Sequence, residues 1–178
     1  VPAAGRRGAR VAHRSVRSTP TAAERERQPV RLGEQTVELH LFSSPGVAGI
    51  EYVVDAFRPY LRREGASVLA YIPAASANAA AYYGYTQKAF SGVGEVRLID
   101  VTTSTPSDFA ESLRGADAVC LPGGNAYLMA HRLHRQGYWE HLRDRVVTGL
   151  PVIAFSAGTV LCGASMLTSN DIDEWGLA

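Results

Sequence analysis

The chain has 178 residues, 46% of them hydrophobic and 20% charged, with a formal charge of +1. That length suits one domain with a sizeable core, and that composition excludes a wholly disordered or fibrous chain. The charge is uneven: residues 1–32 hold eight of the eighteen basic residues but two of the seventeen acids, so the body is mildly acidic and argues against nucleic-acid binding.

Residues 1–32 are rich in Arg, Ala, Pro and Ser without an apolar period, and they predict a disordered extension whose boundary falls at residue 36. An organelle transit peptide has a similar Arg-rich, acid-poor start, whereas no apolar segment of a secretory signal is evident. The folded domain is expected over 37–178. Val37–Phe42 reads as a strand, Ile50–Arg63 as a helix, Val68–Ile72 as a strand stopped by Pro73, and Ala77–Phe90 as a helix weakened by Gly84. Val96–Val101 follows as a strand, then a helix over Ser107–Arg114 from a Thr-Pro-Ser-Asp start, and a strand at Ala118–Leu121. Helices over Ala126–Gln136 and Trp139–Val147 lead to a last strand, Pro151–Phe155. Strands alternating with helices predict an open, doubly wound, mainly parallel α/β sheet covered on both faces.

Gly149 to Leu167 runs nineteen residues without a charge, but Pro151, three glycines and three hydroxyl residues interrupt it. A buried strand followed by a packed helix explains it better than a membrane span. In such sheets ligands bind beyond the carboxyl ends of the strands. Three loops there stand out: Ser43-Ser44-Pro45-Gly46, Pro122-Gly123-Gly124-Asn125 and Phe155-Ser156-Ala157-Gly158.

A nucleophile elbow is a sharp strand-to-helix turn with small neighbours that let the chain bend and the substrate approach. Ala154-Phe155-Ser156-Ala157-Gly158 has that context, although alanine replaces the first glycine of the usual G-x-S-x-G pattern. A serine capping a buried helix is the competing reading. Acyl transfer also needs backbone N–H donors aimed at the developing oxyanion, and Gly124 with Ala157 is the natural pair. The glycine pair is equally compatible with an ordinary turn or an anion site at a helix start. No dinucleotide or Walker pattern is present.

Leu121-Pro122-Gly123-Gly124-Asn125, Phe155-Ser156-Ala157-Gly158 and Thr168-Ser169-Asn170-Asp171 together resemble the dipeptidase E (aspartyl dipeptidase) group of serine peptidases, in the family that also contains cyanophycinase. Tyr85-Thr86-x-Lys88 is a fainter fourth match, and the resemblance spans about residues 37 to 178. It implies a three-layer α/β/α fold of the flavodoxin-like or class I glutamine amidotransferase-like kind. It makes Ser156 the nucleophile, Gly124 and Ala157 the oxyanion donors, Asn125 a substrate contact and Asp171 the acid that orients the imidazole. On the residues alone, Asp173 and Glu174 rival Asp171. The implied reaction is hydrolysis of short peptides, with an N-terminal aspartate, in the cytoplasm, with no metal or organic cofactor. A small peptide is the expected partner, without nucleic acid or membrane, and a homodimer is an open option.

The triad base is the difficulty. The resemblance puts a histidine about twenty residues past Asp171, beyond Ala178, so the sequence is expected to be a C-terminally incomplete piece. His13, His40, His131, His134 and His141 match no such position. His131 and His134 share a helix face but lack a third metal ligand. Cys120 and Cys162 sit in apolar runs and read as reduced, packed thiols. The alternative function is a catalytically inactive α/β module that binds a ligand or partner. An amidotransferase-like domain would use cysteine at the elbow, and an α/β-hydrolase esterase normally has glycine two residues before the serine.

Overall fold

The structure, a computed structural model of the chain, describes residues 30–32, 35–43, 51–58, 67–76, 79–169 and 171. Val30–Leu32 (β1) and Gln35–Val37 (β2) form an antiparallel pair. The body is a five-stranded sheet of β3 (Leu39–Phe42), β4 (Val68–Tyr71), β5 (Glu95–Leu98), β6 (Ala118–Leu121) and β7 (Val152–Phe155). The spatial order is β3-β7-β6-β4-β5, and each neighbouring pair is parallel. The chain moves outward from β4 to β5, then returns to insert β6 and β7 between β4 and β3. The carboxyl ends of β6 and β7 therefore lie side by side at the centre.

Helices α1 (Glu51–Phe57), α2 (Ala79–Ala89), α3 (Pro106–Arg114), α4 (Ala126–Arg135), α5 (Tyr138–Val147) and α6 (Ala157–Leu161) cover the sheet. Phe109, Leu113, Met129, Leu133, Tyr138 and Leu142 from α3, α4 and α5 pack one face. Val53 and Val54 of α1, with Tyr83, Ala89 and Phe90 from α2 and its end, pack the other. Cover on both sides explains the uninterrupted apolar runs VLAY, AVCL and VIAF in β4, β6 and β7, each buried along its length. Edge strand β5, EVRL, instead exposes Glu95 and Leu98 and buries Val96. This is the three-layer α/β/α arrangement that the alternation predicts.

Local chemistry fixes several boundaries. Before α3, the Thr105 side chain accepts from the Asp108 amide while Asp108 accepts from the Thr105 amide, with Pro106 in the first turn. The expected strand Val96–Val101 is shorter, because Asp100 Oδ1 accepts from the Thr102 amide at 2.8 Å and its hydroxyl at 2.6 Å and so turns the chain. The expected strand Val37–Phe42 divides at Glu38: Val37 belongs to the antiparallel pair and Leu39–Phe42 to the main sheet. Regular backbone is thus present within the stretch expected to be disordered up to residue 36. Two alternating three-residue runs separated by Gly33-Glu34 have the spacing of a tight hairpin. Residues 1–29 lie outside the described residues, as do 59–66, the end of the expected Ile50–Arg63 helix. No helix among the described residues is long and apolar enough to cross a membrane.

Candidate active site

Ser156 sits between β7 and α6 with φ 45° and ψ −107°, the sole non-glycine residue of positive φ among those described. Such backbone costs on the order of 1–3 kcal/mol and persists where the surroundings enforce it. Three contacts do so here: the Ser156 amide donates to the Phe42 carbonyl at 2.9 Å, and the Thr159 hydroxyl lies within hydrogen-bond distance of the carbonyls of both Phe42 and Ala154. The side chain is exposed at the end of a fully buried strand and makes no capping bond to its helix. The elbow reading is therefore the one the geometry carries, and the helix-cap reading is not.

The glycines bring three loops into contact. A Cβ on Gly158 would lie 2.2 Å from the Leu121 carbonyl oxygen, so only glycine lets α6 approach the end of β6. Gly124 has φ +142°, and a Cβ there would lie 2.2 Å from the Ala75 carbonyl oxygen. A Cβ on Gly123 would stand 3.4 Å from Ser156 Cβ and 3.9 Å from its Oγ, which puts the glycine pair directly against the serine. The Asn125 amide donates to Ala75 and the Ala126 amide to Asp171. Those of Gly124 and Ala157 have no acceptor among the described residues.

Asp171 stands at the start of α4, one residue past the glycine loop. Its Oδ2 accepts from the Ala126 amide at 2.7 Å, and its own amide donates to Ser169 Oγ. The carboxylate therefore sits at the N-terminal end of a ten-residue helix and accepts from an amide that has no partner within the helix. Asn125, expected as a substrate contact, spends its Oδ1 on the Leu128 amide as the cap of α4. Asp173 and Glu174 lie outside the described residues, as do Ser44, Pro45 and Gly46 of the first loop.

A cavity of about 540 Å³ opens over Ser156, Gly123 and Gly124. Its far wall is Tyr71 of β4 with Tyr82, Tyr85 and Thr86 of α2. Sequence reasoning noticed Tyr85 and Thr86 but missed Tyr71 and Tyr82. The available signal was the spacing 82, 85, 86, which places all three on one helix face. Tyr71 is the buried part of that wall: desolvation pushes its phenol up, and neighbouring Cys120 adds to that while the Thr86 hydroxyl opposes it. No histidine lines this cavity among the described residues. His40 is buried on β3, and His134 stacks on Trp139 at 4.9 Å.

The sequence profile of peptidase family S51 matches residues 39–176, which span all three motif loops. The chain belongs to peptidase family S51. Its S51 relatives include peptidase E of Shewanella sp. strain W3-18-1 and of Shewanella putrefaciens strain CN-32, each 28% identical over 139 residues. Those alignments cover 77% of this chain and 58% of each relative, so the chain spans little more than half their length. A crystal structure of a candidate peptidase E from Listeria monocytogenes EGD-e superposes with a TM-score of 0.59 at 26% identity, covering 70% of this chain and 60% of that one. A peptidase from an acI-B1 actinobacterium shares the fold, with a TM-score of 0.53 at 18% identity over 68% of this chain and 55% of the other.

Proposed function

We propose that this S51 chain carries the nucleophile half of a cytoplasmic serine peptidase that hydrolyses short peptides, dipeptides with N-terminal aspartate foremost. The observation that carries the reading is the strained, exposed Ser156 held against Gly123 and Gly124. In this scheme Ser156 Oγ attacks the scissile carbonyl and gives its proton to a base. The carbonyl oxygen becomes an oxyanion bound by the Gly124 and Ala157 amides. The C–N bond then breaks, the base returns the proton to the leaving amine, and water hydrolyses the resulting serine ester. No cofactor takes part.

Asp171 serves as the acid that orients the base. One oxygen anchored on Ala126 leaves the other to receive an imidazole N–H and stabilise its charged form. The base itself is proposed to be a histidine of a longer chain, downstream of Asp171. Asn125 contributes at the rim of the glycine loop, with its oxygen committed to the helix cap. A second reading, an inactive module that binds peptides without cleaving them, is favoured by one observation: the described cavity wall contains no histidine. The experiment is a comparison of Asp-Ala hydrolysis by residues 1–178 and by a chain extended through the relatives' downstream segment. Activity in the extended chain alone supports the peptidase and its external base. Inactivity of both supports the binding module.

A further inference from the structure

Among the described residues the side chains of the two exposed tyrosines of the cavity make no hydrogen bond or ring contact. Tyr83, between them on α2, is spent on the fold: its ring lies 5.7 Å from Tyr71 and its hydroxyl donates to the Val96 carbonyl. Tyr82 and Tyr85 instead remain 57% and 71% exposed at the cavity wall, one helical turn apart. Leaving two large rings in water opposite a strained serine makes sense where a ligand covers them.

Which part of a peptide they meet follows from the two faces of the sheet. Asp171 sits at the start of α4, on the face packed by α3 to α6, whereas α2 packs the opposite face. The base that Asp171 orients must stand between Ser156 and the leaving amine, because it protonates that amine. The leaving half of the substrate then lies toward α4, and the acyl half lies toward α2. In a dipeptide the acyl half carries a free α-amino group, largely protonated at neutral pH since its ordinary pKa is about 7.7–8.0. Among the described residues the cavity lining has no carboxylate to receive that cation, but it has aromatic faces and hydroxyls. An ammonium over the face of a tyrosine ring is attracted by the ring's negative face.

We propose that Tyr82 and Tyr85 bind the free α-ammonium group of the substrate's N-terminal residue, and so bias this site toward peptides with an unblocked amino terminus. The inference rests on the peptidase reading for the choice of ligand and for which half faces α2. It adds two specificity-determining residues that neither the glycine loop nor the elbow contains.

Its test separates the two readings by measuring binding and turnover independently. Calorimetric binding of Asp-Ala and of N-acetyl-Asp-Ala is compared in a Ser156→Ala background, where no chemistry intervenes. The free peptide is expected to bind about two- to fivefold more tightly, the range for exposed cation–π contacts. Tyr85→Phe, which keeps the ring face, preserves that preference. Tyr85→Leu, which keeps apolar bulk but removes the ring, reduces it, and Tyr82→Leu added to it abolishes it. Both positions are exposed, so these variants fold, as circular dichroism would verify. Equal affinity for free and blocked peptide, no binding of the free peptide at millimolar concentration, or an undiminished preference in the double leucine variant overturns the inference. Turnover of Asp-Ala by the extended Ser156 chain is scored separately. Its absence alongside a tyrosine-dependent preference sinks the peptidase reading and leaves the ammonium site standing, whereas its presence without the preference does the reverse.

Discussion

Two side chains of this protein that could act as nucleophiles, Ser156 and Cys162, lie in different cavities. Ser156 faces the aromatic-walled cavity at the carboxyl ends of β6 and β7. Cys162, at the end of α6, lines a separate apolar groove of about 270 Å³ with Leu39, Trp139, Leu142 and Val146. A thiol is intrinsically the better nucleophile, yet here its surroundings disarm it. Burial pushes the Cys162 thiol up to about 11, so the thiolate is scarce at neutral pH. Ser156 stands exposed on strained backbone, beside amides of Gly124 and Ala157 that have no acceptor among the described residues. Reactivity in this fold is set by where the backbone presents the atom and by what the neighbours offer to charge, not by the identity of the atom.

The contrast can be broken from several sides. The largest effect is expected at Asp171. In an extended, active chain Asp171→Asn lowers kcat by roughly 10⁴-fold, by analogy with loss of a triad acid, because the imidazole loses its orientation. Retained turnover would show that the acid lies elsewhere, with Asp173 and Glu174 the next positions to vary.

Gly124→Ala comes next. Its Cβ would lie 2.2 Å from the Ala75 carbonyl oxygen, so the loop must shift and the oxyanion donor with it. Turnover falls by about 10²–10³-fold, the usual cost of losing one such donor. Gly137→Ala serves as a control: its φ of +74° is also strained, but nothing lies within 4 Å of the added carbon and no catalytic loop moves. It costs about 1 kcal/mol of stability and leaves kcat alone. Similar kcat losses at both positions would mean that general destabilisation, not the oxyanion site, explains Gly124→Ala.

Cys162 tests the other half of the contrast. With its pKa near 11 against an ordinary 8.5, iodoacetamide alkylation at pH 7.5 is slower than that of a free cysteine by about two orders of magnitude. The rate rises nearly tenfold per pH unit up to about pH 10, as the thiolate fraction grows, and mass spectrometry of the peptide reads it directly. Fast labelling at pH 7.5 would dissolve the distinction between the two cavities. The smallest effect lies away from both. Thr105→Ala removes the cap of α3 and lowers stability by about 1 kcal/mol at neutral pH. Hydrogen bonds from the Thr105 hydroxyl and then its amide hold the Asp108 carboxyl below its ordinary value. A lowered folded value stabilises above the unfolded one, near pH 4, and the contribution fades as pH falls through the folded value. The variant's deficit in urea titrations is therefore full at pH 7 and shrinks toward pH 2.

The sheet was legible because its three central strands are buried on both faces and so read as plain apolar runs. The elbow and the Gly-Gly-Asn loop were legible for a related reason: small residues after such runs mark places where backbone must approach backbone. Gly158 against Leu121 and Gly124 against Ala75 are those approaches. Less was legible where tertiary pairing decides. The hairpin spacing at 30–37 is local, but nothing local says that the chain leaves it at Glu38 and that Leu39 joins β7, since both choices satisfy the same alternation. Asp100 ends β5 through its side chain despite the buried Ile99 and Val101 on either side. The aromatic wall was hardest to see, because Tyr82 and Tyr85 on a helix look like any surface residues until the fold sets them opposite Ser156. Asp171 was found only through the motif. Its bond to Ala126 spans forty-five residues, which no local pattern encodes.

The central claim is the proposal that Ser156 of this S51 chain is a peptidase nucleophile, and one measurement meets it directly. The extended chain is mixed with an Asp-X ester substrate under single-turnover conditions, quenched in acid, and its peptides are weighed by mass spectrometry. An aspartyl adduct on the peptide carrying Ser156, absent in Ser156→Ala together with at least a 10³-fold loss of turnover, is the predicted result. Undiminished turnover in Ser156→Ala, or an adduct on Cys162 instead, would contradict it.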